Sequence, residues 1–112
     1  MRVLIFEDNY DIEAMLVSGG ISTRDMTIEQ RWDSSDALDH IKRFQPNVLL
    51  LDHFMPPITG YEVLKRLLAS NHPRPTTVIA ISSEALKNKA MVNLGADESI
   101  IKFDVHTLAC WS

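Results

Sequence analysis

The sequence has little of what marks several other classes of protein. Cys110 is the only cysteine among 112 residues, so no disulfide can form within the chain, which agrees with a reducing compartment. Apolar runs are four or five residues long, far short of a membrane-spanning helix, and Met1 leads directly into a strand pattern with no signal region. Lys and Arg are scattered and the formal net charge is -4, so no nucleic-acid-binding patch is indicated. We therefore expect a cytoplasmic protein that binds neither membranes nor nucleic acid through this chain.

Short apolar segments alternate with amphipathic ones along the chain. The strand-like segments are 2–6, 26–31, 47–51, 76–81 and 99–101. Between them, apolar residues recur at the three-and-four spacing of a helix with one buried face. The predicted faces are Ile12, Met15 and Leu16; Ala37, Leu38, Ile41 and Phe44; Val63, Leu64, Leu67 and Leu68; and Leu86, Ala90 and Leu94.

Turn and cap residues support these boundaries. Asp33, Ser34 and Ser35 are candidate N-caps of the second helix, whose end is marked by Pro46. Gly95 is expected to close the fourth helix as its C′ residue.

The alternation predicts one α/β domain over residues 1–112, with right-handed βαβ units, a parallel sheet and helices on both of its faces. The first and third strands are continuous apolar runs, as strands buried on both faces are. The second strand alternates between apolar and polar residues, which is typical of an edge strand. These patterns favour the strand order 2-1-3-4-5.

Polar side chains follow the strands that surround the switch point of such a sheet. Glu7 and Asp8 end the first strand, Asp52 the third, Ser82 the fourth and Lys102 the fifth. Ligands bind at the carboxyl ends of parallel strands where the strand order reverses, so these groups should converge there. Crowded carboxylates favour a divalent cation, and a hydroxyl with an ammonium can hold a phosphoryl group. The set suits phosphoryl transfer to a carboxylate.

These residues carry a resemblance to a known family. The chain resembles the receiver domains of bacterial response regulators, the phosphoprotein modules of two-component phosphorelay signalling. The matching motifs are Glu7-Asp8, Asp52 with Met55-Pro56 and Gly60, Ser82, Gly95-Ala96-Asp97 and Lys102. The resemblance implies a flavodoxin-like (βα)5 three-layer sandwich.

By that resemblance Asp52 is the phosphoacceptor, which takes a phosphoryl group from a phosphohistidine on a sensor histidine kinase or phosphotransfer protein. Mg²⁺ would be bound by Asp8 and Asp52 directly, by Glu7 through a water molecule and by the backbone carbonyl of Phe54. Such a chain signals to a downstream protein target through a changed surface. It is not an enzyme in the ordinary sense, because it catalyses only its own phosphorylation and dephosphorylation.

The remaining family roles concern the phosphoryl group. Lys102 would pair with Asp52 before transfer and with the phosphoryl group after it. Ser82 would move in to donate a hydrogen bond to a phosphoryl oxygen. Ser83 is small, so its backbone amide could also approach the phosphate.

Two residues depart from the family pattern in the last third of the chain. Ser99 stands where receivers usually carry Tyr or Phe, and Phe103 stands where Pro usually follows the lysine. The last loop should therefore have a different shape. Few residues follow it, so the fifth helix should be short or atypical, or the chain truncated, leaving apolar surface over the first and fifth strands. That surface would suit a homodimer through the fifth-helix region, or a further domain.

A third departure concerns phosphate lifetime. Phe54 lies two residues after Asp52, where a polar group often places the hydrolytic water. Its apolar ring predicts slow loss of phosphate, unless Glu84 supplies that water.

Two alternatives to an active receiver stay open. A pseudo-receiver, an interaction module that does not switch by phosphorylation, is favoured by Ser99 and Phe103 and opposed by the intact acidic and phosphate-binding residues. A small phosphatase with an aspartyl-phosphate intermediate ranks last. Such enzymes usually carry a second acid where this chain has Phe54.

Overall fold

The computed structural model describes residues 1–112 and shows five strands in alternation with four α-helices. The strands β1 to β5 are Arg2–Phe6, Thr27–Arg31, Val48–Leu51, Thr77–Ala80 and Glu98–Ser99. The helices α1 to α4 are Ile12–Ser18, Ala37–Phe44, Gly60–Ala69 and Ala85–Leu94, and two 3₁₀ segments follow at Lys102–Thr107 and Ala109–Trp111. None of the helices combines the length and the apolar composition that crossing a bilayer requires.

The sheet is parallel throughout, and its order β2-β1-β3-β4-β5 confirms the predicted topology. The register aligns the strand ends: Phe6 lies beside Leu51, which lies beside Ala80. The residues that follow β1, β3 and β4 therefore emerge at one edge of the sheet.

Side chains of the central strands alternate between two apolar cores. Leu4 and Phe6 belong to the core covered by α2, α3 and α4, whereas Val3 and Ile5 belong to the core covered by α1 and the first 3₁₀ segment. All four side chains are fully buried, and each contributes roughly 1.5–3 kcal/mol relative to exposure. The predicted three-layer sandwich is thus confirmed, and it holds the strand ends rigidly.

The predicted apolar face of the fourth helix was wrong for Leu86 and Ala90, whereas Leu94 packs against the core. Leu86 is 80% exposed and Ala90 is exposed, while Asn88 and Met91 are buried against the sheet. The helix begins at Ala85, and its rotation is set by Met91 in the core and by hydrogen bonds of Asn88 to backbone atoms beyond β4 and β5. A buried polar residue such as Asn88 cannot be predicted from the spacing of apolar residues.

The predicted N-caps of the second helix were also wrong. Asp36 precedes α2 in a left-handed conformation, with φ of 52°, and its side chain caps nothing. Ser34 instead is buried, and its hydroxyl donates to the carbonyl of Ile58 (2.6 Å) and accepts from the amide of Ile58 (3.0 Å). It therefore ties the β2–α2 loop to the β3–α3 loop. Gly95 closes α4 as predicted, with φ of 149°, but at the C-cap and not at the C′ position.

The segment after β5 is atypical, as predicted, because 3₁₀ turns stand in place of a fifth α-helix. The expected bare apolar surface over β1 was wrong: Val3 and Ile5 are buried under Val105 and Leu108. The indole Nε1 of Trp111 donates to the carbonyl of Val105 (2.8 Å) and closes this cover. The structural argument for a homodimer through this region is thereby removed.

Candidate functional site

Three carboxylates meet at the carboxyl edge of the sheet. Glu7 and Asp8 directly follow β1, and Asp52 directly follows β3, where its amide donates to the carbonyl of Phe6 (3.0 Å). Carboxylate oxygens of the three residues lie within 4.8 Å of one another. Glu7 has no exposed surface and Asp52 is 2% exposed. The predicted convergence of these residues is therefore what the structure shows.

Both oxygens of Glu7 are engaged by the protein. Oε2 accepts hydrogen bonds from the backbone amides of Asn9 (2.9 Å) and Tyr10 (2.8 Å). Oε1 lies 2.7 Å from Nζ of Lys102. The loop after β1 thus holds one oxygen of the carboxylate while the other forms an ion pair with the ammonium group.

Lys102 is 4% exposed, and its ammonium group lies between two carboxylates. Nζ is 2.7 Å from Glu7 Oε1 and 3.3 Å from Asp52 Oδ2. Burial by itself lowers the pKa of Lys102, but the carboxylates of Glu7 and Asp52 outweigh it and raise that pKa above its ordinary value. The lysine therefore stays charged and offsets the crowding of the acids.

Two aromatic rings border this ion-pair cluster. The ring of Tyr10 lies 5.4 Å from Lys102 Nζ, and Phe103 packs edge-on against Tyr10 with ring centroids 5.3 Å apart. Phe103 is about half exposed. The residue in place of the family's proline thus packs at the rim of the site.

The pKa of Asp52 is raised from 3.8 to about 6. Burial is the largest cause, because it disfavours the charged carboxylate, and the nearby charge of Glu7 adds to it. Lys102 acts in the opposite direction and lowers the pKa. Without a further cation, Lys102 therefore offsets only part of the cost of burying the negative charge of Asp52.

The oxygen atoms at this edge fit a divalent metal ion. Asp8 Oδ1 and Asp52 Oδ1 are both buried without a hydrogen-bond partner, which is uncommon for buried polar atoms. The backbone carbonyl of Phe54 accepts no hydrogen bond either. Mg²⁺ prefers carboxylate and carbonyl oxygens completed by water or phosphate. Asp8 and Asp52 are therefore suitable ligands, and the role of the Phe54 carbonyl stays a prediction.

Ser82 follows β4 and brings a buried hydroxyl to the same sheet edge. The strand is held by the amide of Ile81, which donates to the carbonyl of Leu51 (2.9 Å). Ser82 Oγ accepts a hydrogen bond from the amide of Glu84 (3.1 Å), so its own hydrogen is available for donation. The neighbouring Ser83 is exposed, and its amide makes no hydrogen bond. This loop thus offers two hydrogen-bond donors to a ligand, the Ser82 hydroxyl and the Ser83 amide.

Sequence reasoning missed Asn88, which is 3% exposed on the inner side of α4. Its side chain hydrogen-bonds both the amide and the carbonyl of Ser82, and it also donates to the carbonyl of Ile100. A polar residue six positions after Ser82 was the available signal, but the predicted face of the fourth helix placed Asn88 outside the interior.

Close packing fixes the loop that follows Asp52. The carbonyl of His53 accepts from the amides of Met55 (3.1 Å) and Gly60 (2.9 Å). A Cβ atom at Gly60 would collide with the backbone carbonyl oxygen of Asp52, so only glycine allows this approach. Phe54 is 46% exposed and packs edge-on against His53, with ring centroids 4.8 Å apart. Its ring therefore lies in solvent near the site.

The last motif residue, Asp97, has a structural role away from these groups. One oxygen accepts from the amide of Val78 (2.7 Å), and the other pairs with Arg74 (2.6 Å). Burial raises its pKa, but the bonds from Arg74 and Val78 outweigh that and lower it. Asp97 thus fastens the turn before β5 to β4.

The chain is similar to known proteins over most of its length. A family model described as response regulator receiver domain matches residues 3–108. Response regulator MprA from Mycobacterium avium (strain 104) is 28% identical over 102 residues, which cover 91% of this chain and 44% of that protein. The chain therefore spans less than half the length of the curated relatives it matches.

Solved structures show the same architecture. The response regulator domain of Thermotoga maritima CheB is 28% identical, with a TM-score of 0.70, over 91% of this chain and 78% of that chain. The Mn(2+)-bound form of response regulator Rcp1 is 18% identical, with a TM-score of 0.74, over 94% of this chain and 88% of that chain. The second likeness concerns the fold alone.

Proposed function

This chain belongs to the response regulator receiver domain family of two-component signalling, and on that premise we propose that it accepts a phosphoryl group on Asp52. The observation that carries the proposal is the position of the Asp52 carboxylate. It is buried at a strand end, beside Asp8 and Glu7, and 3.3 Å from the ammonium group of Lys102. Its Oδ1 has no hydrogen-bond partner and its Oδ2 faces Lys102, so one oxygen can bind a metal ion while the other attacks phosphorus.

The donor is a phosphohistidine on a sensor histidine kinase or a phosphotransfer protein. An oxygen of Asp52 attacks the phosphorus, the P–O bond forms, the P–N bond breaks, and the imidazole leaves with a proton from solvent. Positioning and neutralisation of charge supply most of the catalysis in such a transfer. Bound Mg²⁺ supplies positive charge to the phosphoryl oxygens. Its ligands would be Asp8, Asp52 and the carbonyl of Phe54, with Glu7 bound through water.

Lys102 keeps its place when the charge of Asp52 changes. Before transfer, its ammonium group offsets both Asp52 and Glu7, and the pair with Glu7 is the shorter one. After transfer, Lys102 donates to a phosphoryl oxygen while Glu7 continues to hold it. Glu7 thus keeps a buried cation available at each stage.

The loop after β4 binds the remaining phosphoryl oxygens. Ser82 moves toward the phosphate and donates its hydroxyl hydrogen, and the unbonded amide of Ser83 approaches as a second donor. This movement changes the surface around the start of α4, which a downstream protein reads. The cytoplasmic location and the identity of the partners stay predictions.

Intact-mass spectrometry with acetyl phosphate tests this function. Wild type incubated with Mg²⁺ should gain the mass of one phosphoryl group, and EDTA should abolish the gain. Asp52→Asn should gain nothing, whereas Asp25→Asn, a change at an exposed carboxylate, should react like wild type. A gain in Asp52→Asn equal to that in wild type would contradict the assigned site.

A pseudo-receiver is the second candidate, and one observation favours it. Ser99, half-buried in the two-residue strand β5, has no ring that could fill or leave a pocket. An unmodified wild-type protein in the acetyl phosphate experiment would support this alternative.

A further inference from the structure

The side chain of Asn88 bridges the ends of two strands. Its Oδ1 accepts from the amide of Ser82 (2.8 Å), and its Nδ2 donates to the carbonyl of Ser82 (2.9 Å). The same Nδ2 donates to the carbonyl of Ile100 (3.1 Å), just beyond β5. Asn88 is 3% exposed, so these bonds are shielded from solvent.

The hydrogen bonds match an asparagine side chain in number and in direction. An amide offers one acceptor oxygen and two N–H donors, and here the oxygen and both donor positions are used. The pair of bonds with Ser82 resembles the pairing of a neighbouring strand. Aspartate would lose both donors, and leucine, of similar volume, would lose all three bonds.

The bridge connects the two segments that deliver the phosphate-binding groups. Ser82 carries the hydroxyl on one side. On the other side, Ile100 is held to the sheet by its amide, which donates to the carbonyl of Ala80 (3.0 Å), and Lys102 follows two residues later. A displacement of the Ser82 backbone would pull two of the three bonds of Asn88. The third bond would then pass the displacement to Ile100.

We propose that Asn88 is a positioning residue that couples movement of Ser82 toward phosphorylated Asp52 to the segment from Ile100 to Lys102. The inference deepens the proposed function and depends on it. In this chain Ser99 has no aromatic ring for such a role, and the Asn88 amide directly links the backbone of Ser82 to that of Ile100, just beyond β5.

The test uses Mg²⁺ and beryllium fluoride with the full chain. Bound fluoroberyllate is counted by ¹⁹F NMR, and the response of the segment is read from the backbone amide shifts of Ile100, Ile101 and Phe103. The variants are Asn88→Asp and Asn88→Leu. Asn93→Asp is the matched control, because Asn93 is an exposed asparagine of the same helix.

Wild type and Asn93→Asp should bind fluoroberyllate and show the same shift changes. Both Asn88 variants should bind it as well, with shift changes of the segment at least about fivefold smaller. A purely structural role would alter the thermal stability and leave the shift changes intact. Wild-type shift changes in folded Asn88→Asp and Asn88→Leu would overturn the inference.

A second measurement on wild type does not depend on the folding of any variant. The side-chain NH₂ resonances of Asn88 should shift when fluoroberyllate binds, and unchanged resonances would overturn the inference. If wild type binds no fluoroberyllate, the proposed function fails and the inference fails with it. If wild type binds fluoroberyllate but the Asn88 resonances do not shift, the inference fails and the proposed function stands.

Discussion

Lys102 lies closer to Glu7 than to Asp52: its Nζ is 2.7 Å from Glu7 Oε1 and 3.3 Å from Asp52 Oδ2. Glu7 is itself held by two backbone amides, so it is a fixed anchor for the ammonium group. The proposed phosphorylation would change the charge on Asp52 and leave this anchor in place. The lysine can therefore exchange one partner for another without losing its buried ion pair.

Removing that ammonium group should destabilise the protein. Lys102→Met leaves Glu7 and Asp52 buried together without a cation, and breaking a buried pair in this way costs about 3–5 kcal/mol. Urea unfolding in EDTA at neutral pH measures the loss, with Lys65→Met, a change at an exposed lysine, as the control. Added Mg²⁺ should restore part of the lost free energy of unfolding. An unfolding free energy equal to that of wild type would contradict the described ion pairs.

Removing the charge of Asp52 should stabilise the protein when no metal is bound. The folded pKa is about 6 and the ordinary value is 3.8, so the folded state holds this proton more tightly than the unfolded state. The resulting stabilisation is present below pH 3.8 and is lost as the pH rises to about 6. In EDTA at pH values above that window, Asp52→Asn should therefore be more stable than wild type, by about 1–3 kcal/mol.

Urea unfolding across that pH range checks this expectation. The advantage of Asp52→Asn should shrink as the pH falls and should also shrink when Mg²⁺ is added to both proteins. Asp25→Asn, at an exposed position, should match wild type throughout. A less stable Asp52→Asn in EDTA would show that the carboxylate is well compensated without a metal.

Gly60→Ala should disturb the site through the backbone. The added Cβ would collide with the carbonyl oxygen of Asp52, and overpacking of this kind costs about 1–3 kcal/mol. The shift of Asp52 should also slow phosphorylation by acetyl phosphate. Gly20→Ala provides the comparison, because Gly20 has φ of 91° but open space around it, so it should lose stability without any change in phosphorylation rate. An unchanged rate in Gly60→Ala would argue against tight packing of this loop.

Phe54 should lengthen the life of the acyl phosphate. Its exposed ring cannot place a hydrolytic water, whereas an amide at this position could add one hydrogen bond to that water. One such bond corresponds to a rate change of about tenfold at most, so Phe54→Asn should lose phosphate up to about tenfold faster. Loss of label from the isolated phosphoprotein measures the lifetime, with Val17→Asn as an exposed apolar control.

A lifetime in Phe54→Asn equal to that of wild type would refute the role of the ring. Glu84→Gln tests whether Glu84, which is exposed at the start of α4, places the hydrolytic water in wild type. If Glu84 supplies the water in wild type, this variant should retain phosphate longer.

The sheet and the site carboxylates could be predicted because they depend on strong local patterns. Val3–Phe6 and Val48–Leu51 are uninterrupted apolar runs, so both had to be central strands, and the residues after them had to meet. The bounds of β1 were predicted exactly as they occur, while β5 lies at Glu98–Ser99 rather than 99–101. Its short pairing with β4 has little apolar pattern to mark it.

Long-range polar contacts could not be predicted in the same way. Ser34 looked like a helix cap, but its hydroxyl pairs with Ile58, 24 residues away. Asn88 was not among the candidate interior residues, because apolar periodicity does not select polar side chains. Each of these side chains is buried only because a particular backbone group in another loop satisfies it. Such partners are defined by the tertiary structure.

Mapping of the modified residue tests the central claim most directly. Wild type treated with acetyl phosphate and Mg²⁺ is reduced with borohydride, which converts an aspartyl phosphate to homoserine, and is then digested for peptide mass spectrometry. Homoserine should appear at position 52 alone, and none should form when EDTA replaces Mg²⁺. Homoserine at Asp8 or at another acidic residue, with Asp52 unmodified, would contradict phosphorylation at Asp52.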